Sequence, residues 1–447
     1  MNYSSLNHSL RVPLAAEVHS RPFLRLDAPE ALTHLAVYTP GAARTGQADA
    51  AEQHALLAAL CMHFGVAAPG VNAKYFFHDF GRFRLKWEAH TEFATYTFAE
   101  RRTEALPLEE AFVRVPLRHI PKDWLGRLAG RVMVAAHVLL DQSQENSHSY
   151  AARVREVMEG NVLVGSHVLQ GGEVWTDFLI QSDGFTRFIV RDVALREQQA
   201  GRLVQRVLEI ETYRMMALLG LPHAQQASPA LNAIESELGS VTTAMVDSLD
   251  GAREPSLDTD REQALLETIT GLAAQVEKLA SDNSYRFAAS QAYYRLINAR
   301  TEELRETRIE GFQTVGEFME RRLMPAMNTC EAVARRQVAL AERIAHSNAL
   351  LRTRVGILQE HQNRQILQSL NARAAQQLRL QQAVEGLSVV AISYYLVGLV
   401  SYAGKAAKAA GLPVNPDMLA GLLVPLLAFG VWAGLRSLRK KIHSEST

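Results

Sequence analysis

The chain has 447 residues, with 47 Lys+Arg against 47 Asp+Glu, so it carries no global field and nucleic acid is excluded as a main partner. Its two cysteines, Cys61 and Cys330, lack CxxC spacing, which excludes a disulfide framework and a cysteine-rich metal centre and suits a reducing compartment. Both read as small buried hydrophobes, and Met1–Leu14 lacks the charged start and apolar core of a signal peptide.

From Thr33 to Val193, β and α signals alternate. Thr33–Thr39, Lys74–Phe80, Arg82–Glu88, Glu92–Phe98, Val162–Leu169, Trp175–Ile180 and Phe185–Val190 are short aromatic or β-branched runs bounded by Gly, Asp or Pro, which predicts strands. Helical patterns lie at Gln47–Phe64 and Pro121–Gln142, and Gly171-Gly172 reads as a hairpin turn. Residues 1–193 are therefore expected to form an α+β (α/β-like) cytoplasmic domain with a largely antiparallel sheet.

Beyond Ala194 the apolar period becomes helical. Leu195–Leu219 is a regular helix expected to stop at Gly220, with Pro222 beyond. Ala224–Asp260 is looser, with a short helix expected around Asn232–Leu249. Pro325 is the one proline between Pro255 and Pro413, so this region reads as helix with breaks near Gly311–Gly316 and at Pro325. Residues 194–325 are expected to form a helical domain.

Residues 326–382 read as a stalk helix that continues without a stop signal into the first apolar span. Leu340, Ile344, Leu351, Val355 and Leu358 follow coiled-coil spacing, and the seam then turns polar and small through Gln362, Gln365, Ser369, Ala372, Gln376 and Leu380. Two readings stand: self-association of copies through the stalk and first span, or cover by a neighbouring helix from Asp258–Glu320.

Ala383–Ala403 and Met418–Leu435 are nearly uncharged and long enough to cross ~30 Å of hydrocarbon. Their alternative reading is a pair of buried core helices. As spans, they make residues 383–435 a two-helix transmembrane hairpin, followed by a basic tail at 436–447. Arg343, Arg352, Arg354, Arg364, Arg373 and Arg379 precede the first span against a lone Glu360, and Arg436, Arg439, Lys440 and Lys441 follow the second. The bias puts both termini on the cytoplasmic side of the membrane, with the lipid bilayer as a partner.

Two candidate sites emerge. Glu88, His90 and Glu92 alternate along a strand-like run, where two carboxylates beside an imidazole suit a divalent cation or acid–base chemistry; a solvated face is the alternative. Glu17, His19 and Arg21 lie in an irregular segment expected to cross the same sheet and pair with that face. In the first span, Ser388, Ala391, Tyr395, Gly398 and Tyr402 form a small and hydroxyl-bearing stripe, either a packing surface or a polar membrane path. No Asp, Glu, Arg or His lies within the core of either span, and no P-loop, GxGxxG, GxSxG or HExxH occurs, so no cofactor is expected.

Several motifs together resemble the DUF3422 family of bacterial membrane-anchored proteins. They are Glu17-Val-His-Ser-Arg-Pro22, Trp87-Glu-Ala-His-Thr-Glu-Phe93, Ser284-Tyr-Arg-Phe287, Phe318-Met-Glu-Arg-Arg322, Cys330-Glu-Ala-Val-Ala-Arg-Arg336 and Leu387-Ser-Val-Val-Ala-Ile-Ser-Tyr-Tyr395. The overall layout is also similar to that of CorA-type magnesium transporters, a likeness that implies a homo-oligomeric channel gated by its cytoplasmic domain. This chain departs from them at the end of the first span, where Tyr402-Ala-Gly-Lys405 replaces Gly-Met-Asn and the lysine repels cations. A non-transporting scaffold or sensor, with a small ligand or ion as partner, is the alternative; a metal-dependent enzyme on the Glu88/His90/Glu92 face is the third.

Overall fold

A computed structural model of the protein describes residues 6–12, 14–15, 22–39, 50–250, 259–410 and 416–444. In chain order the first part runs β1 (Glu30–Tyr38), α1 (Ala50–His63), β2 (Tyr75–Asp79), β3 (Arg84–Ala89), β4 (Phe93–Arg101), α2 (Leu108–Ala111), α3 (Lys122–Gly126), β5 (Val132–Asp141), α4 (Ser147–Glu156), β6 (Val164–Val168), β7 (Gly172–Ile180) and β8 (Thr186–Asp192). The helices and last strand that follow are α5 (Gln199–Leu218), α6 (Gly220–Asp250), α7 (Thr259–Glu303), β9 (Thr307–Arg308), α8 (Val315–Arg322), α9 (Met324–Ala409) and α10 (Pro416–Ser444).

The strands form a mixed nine-stranded sheet in the order β2-β3-β4-β1-β5-β8-β7-β6-β9. Every neighbouring pair is antiparallel except β5 and β8. One core cluster packs Leu85, Trp87, Tyr96 and Phe98 of β3 and β4 against Leu57, Leu60 and Cys61 of α1, with Trp124 of α3. A second gathers Tyr150 and Val154 of α4 onto Leu139, Trp175 and Ile189. Both cysteines are free and buried.

The helix expected over Pro121–Gln142 is instead the short α3 and the strand β5. Val132–Asp141 lies between β1 and β8 and is buried along nearly its whole length, so it reads as a continuous apolar run with no strand alternation to betray it. The β6–β7 turn spans Leu169, Gln170 and Gly171, with φ of +52° and +62° at the first two, so Gly171 lies in it as expected while Gly172 already begins β7. Those glycines also answer a different need. A Cβ on Gly171 would collide with the Ala194 carbonyl, and one on Gly172 would lie 3.1 Å from Leu195 and Leu203 side-chain carbons.

The expected stop at Gly220 is a junction, since α6 begins there and runs through Pro229 to Asp250. Buried Leu231, Ile234, Leu238 and Val241 hold it by tertiary packing across the proline. A Cβ on Gly220 would lie 2.6 Å from Ser290 Oγ, so glycine serves the close approach of α6 to α7. Pro325 falls in the first turn of α9, where a missing N–H costs nothing, and so marks the start of the long helix. A capping box of Thr314 and Glu317 starts α8.

The chain divides into two compact units, Met1–Glu254 with Leu265–Asn348, and Pro255–Ala264 with Ala349–Thr447. In the first, Leu340 and Ile344 are buried, and Gln337 Nε2 donates to the Leu279 carbonyl of α7 at 3.4 Å. In the second, Leu351 and Val355 are buried and Arg354 pairs with Glu262 at 3.1 Å. This stretch of the seam is therefore covered by a helix of the same chain. From Asn363 to Val384, by contrast, every residue is exposed.

Among the described residues one helix, containing α9, is long and apolar enough to cross a membrane, and none of its most apolar stretch is buried. Gly421–Gly434 of α10 is a shorter apolar stretch. The mixed α+β domain and the long helical region are as expected.

Candidate functional site

Strand period and register assemble a polar row on the face of the sheet opposite α1. Lys86 of β3 pairs in register with Thr97 of β4, and Thr97 with His34 of β1; one step along, Glu88 lies opposite Thr95. Because side chains two apart share a face, Lys86 and Glu88 project beside Phe93, Thr95 and Thr97. Over them lies α5, whose Gly201, Val204, Gln205, Leu208, Glu209, Thr212 and Tyr213 recur at helical spacing. A Cβ on Gly201 would collide with the Leu24 carbonyl oxygen, so the absence of a side chain lets the segment ahead of β1 pass under α5. Leu24, Leu26 and Arg300 of α7 complete a chamber of about 220 Å³.

Its polar groups form one connected line. Lys86 Nζ donates to Gln205 Oε1 at 3.2 Å and lies 3.2 Å from Glu88 Oε2. Gln205 Nε2 donates to Glu209 Oε1 at 2.8 Å, Glu209 accepts from Arg300 Nε, and Arg300 Nη1 donates to Glu303 Oε1 at 2.7 Å. The line thus runs from the sheet through α5 to α7. Lys86 is only 4% exposed, an unusual place for an ammonium group with an open void in front of it.

His34 lines the chamber from β1. Its Nδ1 shares a hydrogen bond with Thr97 Oγ1 at 2.8 Å and its Nε2 one with Thr212 Oγ1 at 3.1 Å. Burial, and then the Lys86 charge, lower its pKa to about 3, so the ring is neutral at physiological pH. Thr95 Oγ1 is buried and has no hydrogen-bond partner among the described residues. A buried hydroxyl left unsatisfied beside a void is a place for a ligand's polar atom.

The structure separates the expected Glu88/His90/Glu92 trio. Glu88 ends near the chamber mouth on β3, while His90 and Glu92 stand outside the strands in the β3–β4 turn, closed by His90 N donating to Phe93 O at 2.8 Å. Glu88 and His90 line the chamber, but Glu92 is buried away from it and binds Arg286 and Tyr293 of α7. The turn breaks the alternation that would have put all three on one side. Among the described residues no group of three or more His, Cys, Asp and Glu could hold a metal ion. Glu17, His19 and Arg21 lie outside the described residues.

On α9, Ala391, Tyr395 and Tyr402 are exposed, and Ser388 and Gly398 half-covered. Ser388 Oγ donates to the Val384 carbonyl at 2.8 Å, and Lys405 Nζ sits 5.7 Å from the Tyr402 ring centre. Lys86, Thr95, Thr97, His34 and Gln205 were not among the expected site residues. The signal available for them was the polar interruption of apolar strands, in Arg84-Leu-Lys-Trp-Glu88 and Phe93-Ala-Thr-Tyr-Thr97.

Fold and site define a mixed α+β domain with a polar chamber, followed in the chain by a long helical region in which, among the described residues, one helix is long and apolar enough to cross a membrane. The chain belongs to the DUF3422 family, whose description, "Protein of unknown function (DUF3422)", matches residues 6–442. No curated protein matches it. Among solved structures it is similar to one titled "structure of the full-length CmaX protein", with 14% identity, covering 68% of this chain and 89% of that one at a TM-score of 0.16. So loose a superposition transfers no role.

Proposed function

We propose that the protein is a membrane-anchored sensor whose α+β domain binds a small polar ligand between β1, β3, β4 and α5. The observation that carries this reading is the buried Lys86 facing an open void beside the unpartnered hydroxyl of Thr95. Occupancy would bear on Gln205 and Glu209, and through them on Arg300 of α7. Ala383–Ala403 and Met418–Leu435 serve as a two-span anchor in the inner membrane, with both termini cytoplasmic as their basic flanks favour. Exposed Ile366, Leu367, Leu370, Leu378 and Leu380 support self-association along the uncovered part of α9.

The test is thermal unfolding of the purified full chain in detergent against a panel of small polar metabolites. At least one compound should raise the midpoint in the wild type and leave the Lys86→Met variant unmoved. A panel that shifts nothing would rule the sensor out.

A CorA-like gated path is the second reading. It is favoured by the hydroxyls of Tyr395 and Tyr402 on the exposed surface of α9, a face that copies would turn toward one another. Flux of Mg²⁺ or small anions through protein-loaded liposomes, absent from empty ones, would support it. A tight dimer without flux would leave the sensor alone.

A further inference from the structure

We infer that the chamber takes a neutral zwitterion, an α-amino acid with a small apolar side chain, holding its carboxylate on Lys86 and Thr95 and its ammonium on Glu88. The inference rests on the chamber being a ligand site and names the class that fits it.

Charge selects the class first. Apart from the imidazoles of His34 and His90, the chamber is lined by two cations, Lys86 and Arg300, and two anions, Glu88 and Glu209. A ligand with net charge would leave one charge uncompensated beside Lys86, itself only 4% exposed, which is costly. A neutral ligand avoids this, and the arrangement of the charges favours a dipolar one. Lys86 Nζ and Glu88 Oε2 are 3.2 Å apart, side by side on one strand. An amino acid carries its carboxylate and ammonium on a single carbon, so the two pairs can lie antiparallel, each charge opposite its complement.

Hydrogen-bond capacity points the same way. Lys86 carries three N–H groups and has two partners among the described residues, Gln205 and Glu88. Thr95 is 4% exposed, stands opposite Glu88 in register, and its hydroxyl has no partner among the described residues. The third ammonium proton and this hydroxyl are the donors a carboxylate needs. An uncharged sugar or polyol would leave the Lys86–Glu88 dipole unanswered.

Volume and lining set the side chain. An apolar cavity of about 150 Å³ holds benzene, so a chamber of about 220 Å³ fits roughly nine non-hydrogen atoms, the range from alanine to leucine. Leu24, Leu26, Leu32, Val204 and Leu208 supply an apolar wall away from the charges.

The experiment is calorimetric titration of the dialysed full chain in detergent with L-alanine, L-valine and L-leucine. Parallel titrations use N-acetyl-L-valine, which lacks the ammonium, and L-valine methyl ester, which lacks the carboxylate. The free amino acids should bind, and blocking either end should weaken binding about tenfold or more, the value of a hydrogen bond to a charged group. Thr95→Val, close in shape, should weaken L-valine binding about tenfold while the unfolding midpoint of the free protein does not fall. Lys86→Met should abolish it. Blocked forms that bind as well as L-valine would overturn the class, and L-valine binding untouched by both variants would overturn the site. If no amino acid binds but another small polar metabolite does, and Lys86→Met removes that binding, the class falls and the ligand site stands. If nothing binds, both fall.

Discussion

Arg286 on α7 and Glu92 in the β3–β4 turn, 194 residues apart, form an ion pair whose side chains are 3% and 1% exposed. Tyr293, two helical turns on from Arg286, donates its hydroxyl to Glu92 Oε2 at 3.0 Å. Neither charge has water to fall back on, so each depends on the other. Arg286→Met or Glu92→Gln should each destabilise the fold by about 3–5 kcal/mol, because one charge or its donors are left buried and unmatched. The double variant should lose less than the sum of the two. Denaturant unfolding of all four proteins measures the coupling, and additive losses would show that the pair holds nothing together.

The ring of His34 makes stability depend on pH in a stated direction. Its pKa falls from 6.5 to about 3 on folding, so between these values the unfolded chain binds the proton and the folded chain does not. Stability is therefore full above about pH 6.5 and is lost as the pH falls toward 3, by about 1.4 kcal/mol per pH unit. Lys86, Thr97 and Thr212 face the ring, and the Lys86 charge opposes its protonation. His137, lowered to about 4 by burial, adds a slope of the same sign. His34→Gln should flatten the profile by one site's worth while leaving the His137 part. An unchanged slope between about pH 6 and pH 4 would show that His34 is already charged in the fold.

Gly201 is needed for closeness, since an added Cβ meets backbone rather than the end of a flexible side chain. Gly201→Ala must push α5 away from the Leu24 segment. We expect a loss of about 1–3 kcal/mol, the usual result of overpacking, although alanine is the better helix former. Chemical denaturation measures it. A stabilised Gly201→Ala protein would mean that the segment is not held against α5.

How far the sequence could be read follows from composition rather than exposure, since β1 and β4 are buried between two neighbours just as β5 is. β1, β3 and β4 announce themselves through aromatic and β-branched content, while β5 is an aliphatic run without Phe, Trp or Tyr that a helix could equally produce. The long helix was legible because proline is absent from it after Pro325. Its seam could not be assigned from spacing alone, since a partner copy and the chain's own α7 make the same demand on Leu340 and Ile344. The chamber was half legible. Glu88 and His90 stood out on a strand-like run, but the chamber's Thr95, Gln205 and Arg300 come from β4, α5 and α7 and meet them only in the folded chain. Glu92 was misplaced because a three-residue turn changes which way a side chain points.

The apolar end of α9 yields the last prediction. Leu387, Val390, Tyr394 and Leu399 are all more than half exposed, so water is a poor surrounding for this stretch and lipid a good one. The wild type should sediment with membranes and resist extraction by alkaline carbonate. Arginine near the middle of a crossing helix costs about 2.5–3.5 kcal/mol, so Ile392→Arg with Leu396→Arg should release the protein or stop it accumulating. Leu426→Arg then distinguishes one crossing from two. If α10 also spans, this change is as damaging as Ile392→Arg; if Gly421–Gly434 only lies in the interface, the arginine reaches water and the effect is small. A reporter fused after the last residue reads the same alternative independently, because two crossings return the chain to the side of the α+β domain and one crossing does not. Wild-type protein left in the supernatant after membranes are removed would sink the anchor itself.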